Sequence, residues 1–254
     1  MYDAEYIRLI EECVCKYRHN HKNGELEIRV GKYVNGRFVP GVEHSEFCQL
    51  LTDLQNAPTL EDGNAWTEIL DYHYTTRETQ IRTRVNFDSQ VMKLQTCHVN
   101  KTGVQDSVFC HIGGENTAFR VAFSTETPVL DPPNACIPTY VRIKQRRTFK
   151  DIRNGKVVWV YELSKTWSAS SRSGVEHAQN MVPPVFEVEC ELVDEGDDYL
   201  NSHTDEDIAR SIFLKSHRLL GEDGEDVMFH SVVQEKVALN KKTGSKLKRP
   251  RTDV

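Results

Sequence analysis

Three glutamates alternate with apolar residues in the segment 186–192: Glu187, Glu189 and Glu191. In a β-strand, successive side chains point to opposite faces, so the three carboxylates would share one face of the strand. Neighbouring carboxylates would lie about 7 Å apart and would repel each other by about 2 kcal/mol, at an effective dielectric constant of about 20. We expect such a row to face either bulk water or a source of positive charge.

The same alternation recurs on other predicted strands, where it brings both acids and bases to one face. Glu25 and Glu27 share a face near the N-terminus, and a basic row follows in the middle of the chain, at Arg142, Lys144 and Arg146. Smaller groups that share a face are Arg82 with Arg84, Lys93 with Gln95, Arg120 with Ser124 and Glu126, and Glu162 with Ser164.

If these polar faces point into a closed barrel, acids from the first and last strands meet bases from the middle strands. Carboxylates gathered at one point suit a hard divalent cation such as Mg²⁺. Arginine and lysine supply positive charge, and arginine adds the bidentate geometry that phosphate oxygens bind. The pattern therefore predicts a site for a polyphosphate chain, and this site requires the strands around 25–31 and 186–192 to be neighbours.

Hydrophobic periodicity predicts three helices around these strands. The first covers 3–18, the second begins near Ser45, and the third covers 205–220. Thr204 and Asp207 would form a capping box at the start of the third helix.

The middle of the chain is predicted to be almost entirely strand. The predicted strands are 25–31, 37–39, 66–75, 78–87, 90–99, 107–112, 117–127, 139–150, 156–167 and 185–193. Asn154-Gly155 predicts a tight hairpin turn, and the serine-rich stretch 170–173 is interpreted as a flexible loop. Many consecutive strands with short turns indicate a mainly β, α+β fold built on an antiparallel sandwich or barrel.

Composition narrows the class of protein. The chain has 254 residues, of which 38% are hydrophobic and 28% charged, and its formal net charge is −6. No stretch approaches the ~20 apolar residues of a membrane span, and no signal-peptide pattern is present, so we expect an intracellular protein that does not bind membranes. Its seven scattered cysteines are expected to be reduced thiols. We predict one domain over 1–235 and a flexible basic tail over 236–254.

Three motifs carry a resemblance to a known family. They are Glu25-x-Glu27-x-Arg29, Arg142-x-Lys144-x-Arg146 and Glu187-x-Glu189-x-Glu191. Over roughly residues 20–195 the chain resembles the triphosphate tunnel metalloenzymes, and more narrowly the fungal, protozoan and viral branch that acts as mRNA 5′-triphosphatase in cap formation. The resemblance implies a closed antiparallel eight-stranded β-barrel, the triphosphate tunnel, with flanking helices.

The resemblance also implies roles for individual residues. The family's metal-binding glutamates match Glu25, Glu27 and Glu191, with Glu189 as the alternative on the same strand, which implies Mg²⁺ or Mn²⁺ as the cofactor. Its catalytic residues match Glu126, which would orient the attacking water, and Arg142, Lys144, Arg146 and Glu189. Its phosphate-binding positions match the basic row, Arg82 or Arg84, Lys93, Arg120, and the pair Glu162 and Ser164, where the family has an aspartate and a threonine.

The implied reaction is removal of the γ-phosphate from a 5′-triphosphate RNA end, which leaves a diphosphate end. An mRNA guanylyltransferase would act next, and it is therefore an expected partner. The basic residues within 241–251 are split in the manner of a nuclear import signal, which predicts a nuclear protein, with the cytoplasm as the alternative if the source is a virus.

Two other functions are compatible with the sequence. One is a tunnel-fold hydrolase of a small triphosphate, such as inorganic tripolyphosphate, thiamine triphosphate or a nucleoside triphosphate. The other is a non-catalytic β-domain that binds RNA or acidic partners through its charged faces.

Overall fold

The computed structural model of the protein describes residues 2–35, 37–63, 65–75, 80–88, 93–112, 117–129, 137–219 and 229–233. The helices in these ranges are α1 (Tyr2–Asn20), α2 (His44–Asn56), α3 (Arg172–Met181), α4 (Asp198–Ser202) and α5 (Asp205–Arg218). The strands are β1 (Gly24–Val34), β2 (Arg37–Pro40), β3 (Leu60–Asp62), β4 (Thr67–Thr75), β5 (Gln80–Asp88), β6 (Lys93–Ile112), β7 (Thr117–Pro128), β8 (Tyr140–Arg153), β9 (Lys156–Ala169), β10 (Val185–Leu192) and β11 (Phe229–Val233).

Eight of these strands form a closed antiparallel barrel. Their order around the barrel is β10, β9, β8, β4, β5, β6, β7 and β1, and β1 pairs again with β10. At this seam Glu27 lies opposite Glu191, and Arg29 lies opposite Glu189. The predicted barrel and the predicted meeting of its first and last strands are both confirmed. The shorter strands β2, β3 and β11 extend the sheet beside β1, β8 and β6.

The main hydrophobic core lies outside the barrel, between its outer wall and the helices. Leu26 and Ile28 of β1 and Val188 of β10 are buried in one cluster with Ile10 and Val14 of α1. Because the inward residues of β1 and β10 are charged, their outward residues must supply the apolar surface. Further members of the same cluster come from α2, α4 and α5.

The segment from 170 to 173, which the sequence suggested was a flexible loop, opens helix α3. The Ser171 hydroxyl accepts a hydrogen bond from the Gly174 backbone N–H at 3.1 Å, which is the N-cap geometry that serine favours. The helix then places Val175 in a small core with Val141 and Ile143 of β8. The loop prediction is wrong because a serine-rich segment can also supply the N-cap of a helix. Here the burial of Val175 holds the short helix against β8.

Other predicted features can be compared with the structure directly. The two strands predicted over 90–99 and 107–112 are one strand, β6, with an irregular register between Thr102 and Asp106. The capping box at the start of α5 is present, and Asn154 and Gly155 have positive φ values of 52° and 76°, as a tight hairpin turn requires.

Some predictions meet only part of the chain. The predicted basic tail over 236–254 lies outside the described residues. Among the described residues no helix combines the length and the apolar content that crossing a membrane requires. Cys13, Cys15, Cys48, Cys97 and Cys190 are free thiols, as expected.

Candidate active site

The barrel encloses a cavity of about 460 Å³ that is lined mainly by charged side chains. Seven of the eight barrel strands contribute described residues to its lining, most of them alternate residues that point inward, which is how the period-two pattern becomes a lining. Acidic lining residues are Glu25, Asp71, Glu126, Glu162, Glu189 and Glu191. Basic lining residues are Arg29, Arg82, Arg84, Arg142, Lys144 and Arg146.

The acidic side of the cavity is centred on Glu191. Burial and the nearby carboxylates, led by Glu25, raise the pKa of Glu191 to about 8. None of the ion pairs among the described residues involves Glu191. Glu25 accepts a hydrogen bond from the Ser124 hydroxyl at 3.0 Å. Glu27 accepts one from Arg29 at 2.8 Å. The ionised form of Glu191 is therefore disfavoured in this acidic surrounding when no cation is bound.

The basic side is the inward face of β8. The Lys144 ammonium lies 3.2 Å from one carboxylate oxygen of Glu187 and 3.5 Å from Glu189. Arg142 donates to Glu187 as well, and Thr166 donates to it at 3.0 Å. Glu187 is thus held by three donors and serves to position the basic row.

Glu189 and Glu162 also pair with cations, although burial raises the pKa of Glu162. Burial opposes ionisation of Glu189, yet the facing Arg29 and Lys144 hold its pKa well below the ordinary value. Glu162 accepts a hydrogen bond from Arg146 at 2.5 Å. The row of three glutamates on β10 is therefore neutralised at two positions and left uncompensated at Glu191.

Both candidate arginines of β5 line the cavity, each with its own acidic partner. Arg84 forms a bidentate pair with Asp71, at 2.8 and 3.0 Å. Asp71 is only 1% exposed, and although burial opposes its ionisation, Arg84 lowers its pKa. Arg82 donates to Glu126 at 2.8 Å. The choice between Arg82 and Arg84 that the sequence left open does not arise, since both are present.

Four further predicted residues lie away from the lining or outside the description: Glu27, Arg120, Ser164 and Lys93. Arg120 donates to Glu27 at 3.2 Å, and its guanidinium lies over the Phe38 ring, 5.3 Å from the ring centroid. Ser164 is buried opposite Arg146, and its hydroxyl has no hydrogen-bond partner among the described residues. Lys93 begins β6, but its side chain is outside the described part of the protein.

The lining residues that the sequence-based prediction missed include Asp71, His73 and Tyr140. Asp71 and His73 alternate on β4, and Tyr140 lies two residues before Arg142 on β8, so the same period-two rule could have found them. The rings of His73 and Tyr140 stack, with centroids 4.2 Å apart and planes at 10°. Burial, aided by nearby arginines, lowers the pKa of His73 to about 4.

The donor chemistry of the acidic side fits a hard divalent cation. Glu25, Glu27 and Glu191 offer carboxylate oxygens, the ligands that Mg²⁺ and Mn²⁺ prefer. Burial and the other carboxylates raise the pKa of Glu191, and a bound cation would favour its ionised form. Within the described ranges, no three His, Cys, Asp or Glu side chains already converge into a complete metal site. The residues therefore fit the ion chemically, although they are not assembled around a preformed site.

Several solved structures with a similar fold are of RNA triphosphatases. The S. pombe Pct1 RNA triphosphatase is similar with a TM-score of 0.59 at 19% sequence identity, over 84% of this chain and 91% of that one. The Mimivirus capping enzyme triphosphatase is similar with a TM-score of 0.53 at 13% identity, over 86% and 98%. A second Mimivirus structure, of the RNA triphosphatase domain of a trifunctional mRNA capping enzyme, has a TM-score of 0.51 at 16% identity, over 83% and 95%.

Comparison of the sequence alone finds no relative: no protein-family model and no curated protein matches it. The likeness is therefore one of fold, carried by barrel order and strand pairing rather than by residue identity. The chain has the triphosphate tunnel fold, the fold of these fungal and viral RNA triphosphatases.

Proposed function

We propose that this protein is a divalent-metal-dependent RNA 5′-triphosphatase, which removes the γ-phosphate from a 5′-triphosphate RNA and leaves a 5′-diphosphate end. The observation that carries the proposal is the pairing, inside one enclosed cavity, of the uncompensated acid Glu191 with the buried basic row of β8. The shared fold with fungal and viral RNA triphosphatases supports it.

The basic residues bind the triphosphate. Arg142, Lys144 and Arg146 follow one another at two-residue intervals along β8 and all line the cavity, so their long side chains can contact one triphosphate together. Stabilising charge on the transferred phosphoryl oxygens supplies most of the catalysis of phosphoryl transfer. Arg84, fixed by Asp71, adds a further donor from β5. The acids that pair with these cations hold their side chains in place.

The acidic residues divide into two functions. Glu25, Glu27 and Glu191 would hold Mg²⁺ or Mn²⁺, which when bound polarises a phosphoryl oxygen and offsets the charge that develops on it. Glu126 orients the attacking water, and its bond to Arg82 fixes the carboxylate for that task. Glu189 positions Arg29 and Lys144.

The diphosphate product is what guanylyl transfer consumes in cap formation, so an mRNA guanylyltransferase is the partner that this function requires. Cap formation takes place in the nucleus of cells and, for some viruses, in the cytoplasm. The basic residues within 241–251 favour nuclear import.

Phosphate release from RNA labelled at its γ-phosphate tests the function, with and without Mg²⁺ or Mn²⁺. We expect metal-dependent release from RNA, and slower release from inorganic tripolyphosphate and thiamine triphosphate. Glu25→Ala and Glu191→Ala should each lower the rate by at least about 100-fold, the scale of losing one charge-stabilising group. The matched control is Glu176→Ala, an exposed glutamate on α3 whose side chain is 52% accessible.

The proposal fails if either cavity variant keeps the full rate while its unfolding curve matches that of the wild type. Release from tripolyphosphate but not from RNA would instead identify a hydrolase of small triphosphates. RNA binding that ignores the 5′ end, without any release, would identify a non-catalytic binding domain.

A further inference from the structure

An aromatic pair lies at one end of the basic row. Tyr140 is the first residue of β8, and it lies opposite His73 of β4 in the strand pairing. The two rings stack face to face, 4.2 Å apart. Both residues line the cavity, and Tyr140 is 37% exposed. The pair therefore presents an aromatic surface where the cavity meets solvent.

The inward residues of β8 give the cavity a direction. Arg146 and Lys144 are 7% and 3% exposed, the Arg142 side chain is 16% accessible, and Tyr140 is the most exposed of the four. The phosphate-binding row thus runs from the closed interior to an open end. Tyr140 stands at that open end.

The acidic cluster lies toward the closed end of the row. Arg146 is bonded to Glu162, and Glu162 is one of the carboxylates close enough to raise the pKa of Glu191. The charged groups that act most strongly on Tyr140 are, by contrast, led by Arg142. A triphosphate whose terminal phosphate reaches the acidic cluster would therefore have its nucleoside end near Tyr140.

The spacing suits a nucleotide. Tyr140 precedes Arg142 by two residues on the same face, which is about 7 Å along the strand. Proteins hold unpaired bases chiefly by stacking them on aromatic side chains. His73 backs the Tyr140 ring, and with its pKa near 4 it is uncharged at neutral pH. The stacked pair is thus a neutral, rigid surface beside a row of cations.

We propose that the Tyr140–His73 stack is the platform on which the first nucleobase of a 5′-triphosphate RNA binds. This inference rests on the proposed function and adds a determinant of specificity to it. Inorganic tripolyphosphate has no base, so it could use the basic row but not the platform.

The test is a double-mutant cycle on binding, with one change in the protein and one in the ligand. The ligands are a short 5′-triphosphate oligoribonucleotide and the same oligonucleotide with an abasic first residue. Their affinities are measured by fluorescence anisotropy in a chelating buffer, where turnover does not interfere. We expect the wild-type protein to bind the complete ligand about tenfold more tightly, within the range for one stacked base. Tyr140→Ala should bind both ligands equally, whereas Tyr140→Phe should keep the preference.

Two further variants separate stacking from other effects. Ile137→Ala changes a residue that is 87% exposed and lies three positions before Tyr140, and it should leave the preference intact. Arg142→Ala should weaken binding of both ligands by the same factor, because it removes a phosphate contact. His73→Ala should reduce the preference, and it provides a second route to the answer if Tyr140→Ala does not fold.

Equal binding of the two ligands by the wild-type protein would overturn the inference, as would a Tyr140→Ala variant that keeps the full preference. These outcomes are distinct from failure of the proposed function. A wild-type protein that releases no phosphate rejects that function, whatever the binding cycle shows. Normal phosphate release with no base preference rejects the platform alone.

Discussion

At the scale of single residues, three glutamates on one face of β10 have three different environments. Glu187 is held by a ring of donors, Glu189 lies between Arg29 and Lys144, and Glu191 lies among other acids. Their common face follows from strand geometry alone. Their charges are compensated or not according to which strands stand beside them, and this decides which glutamate is available to a cation.

His73 should make stability depend on pH. Its pKa is lowered from 6.5 to about 4, so between these values the unfolded chain binds a proton that the folded protein does not. The stability it supports is complete above about pH 6.5 and is lost as the pH falls toward 4. Measured by urea unfolding, the wild-type protein should lose about 2 kcal/mol more than His73→Gln between pH 7.5 and 4.5, from a shift worth about 1.4 kcal/mol per pKa unit.

The matched control for this titration is His177→Gln, which removes an exposed histidine on α3. Its unfolding free energy should fall with pH as steeply as that of the wild-type protein. If the unfolding free energy of His73→Gln fell with pH as steeply as that of the wild-type protein, His73 would titrate at its ordinary pKa. Burial beside Tyr140 would then not lower that pKa.

At the scale of elements, the barrel has a charged interior, and its apolar residues point outward. The inward faces of the strands carry charged residues, so the helices α1 and α5 must cover the outward apolar faces. The seam between β1 and β10 shows how the outer core and the site depend on each other. Ile28, between Glu27 and Arg29, points outward into the core and helps to set the register in which Glu27 faces Glu191. The site is therefore stabilised from outside the barrel.

Ile28 tests this dependence on the outer core. It is 1% exposed on β1, opposite Cys190 at the seam. Ile28→Ala should lower the free energy of unfolding by about 2–5 kcal/mol, the range for truncating a buried isoleucine. Val39→Ala, at a position that is 49% exposed on β2, should change it by less than about 0.5 kcal/mol. Similar losses from the two variants, measured by urea unfolding, would show that the outer layer is not the main core.

At the scale of the whole molecule, the location of the charged residues matters more than the net charge. The net charge of −6 would repel a polyanion, yet the barrel gathers a row of cations into one enclosed cavity. Low-dielectric walls strengthen such a local field. RNA would therefore be admitted by its 5′ end rather than held along its length.

The basic tail provides the test at this scale. Removing residues 236–254 should leave phosphate release from RNA unchanged, because every proposed contributor to the reaction lies in or around the barrel. The same truncation should abolish nuclear accumulation of a fluorescent fusion, and so should replacing Lys246, Lys248 and Arg249 with glutamine in the full chain. A truncated protein that still accumulates in the nucleus would refute the import signal. Loss of activity would show that the tail holds RNA.

The closed eight-stranded barrel, in which the first and last strands meet, is predicted by the resemblance to a known family, whereas alternation along the strands is enough to predict most of the charged residues of the cavity lining. Backbone geometry alone turns every second residue to one side, so this alternation is local in the sequence. The serine-rich start of α3 was misread because its helix depends on docking Val175 against β8.

Only the tertiary structure decided which charges compensate each other. Arg82 and Glu126 are 44 residues apart, and Arg120 and Glu27 are 93 apart, so their pairing depends on barrel order and register. The same register places Glu191 among other acids, with no ion pair to the residues that the structure describes, and places Tyr140 against His73. Local periodicity determines which face a side chain occupies, and strand pairing across the closed barrel determines what it meets there.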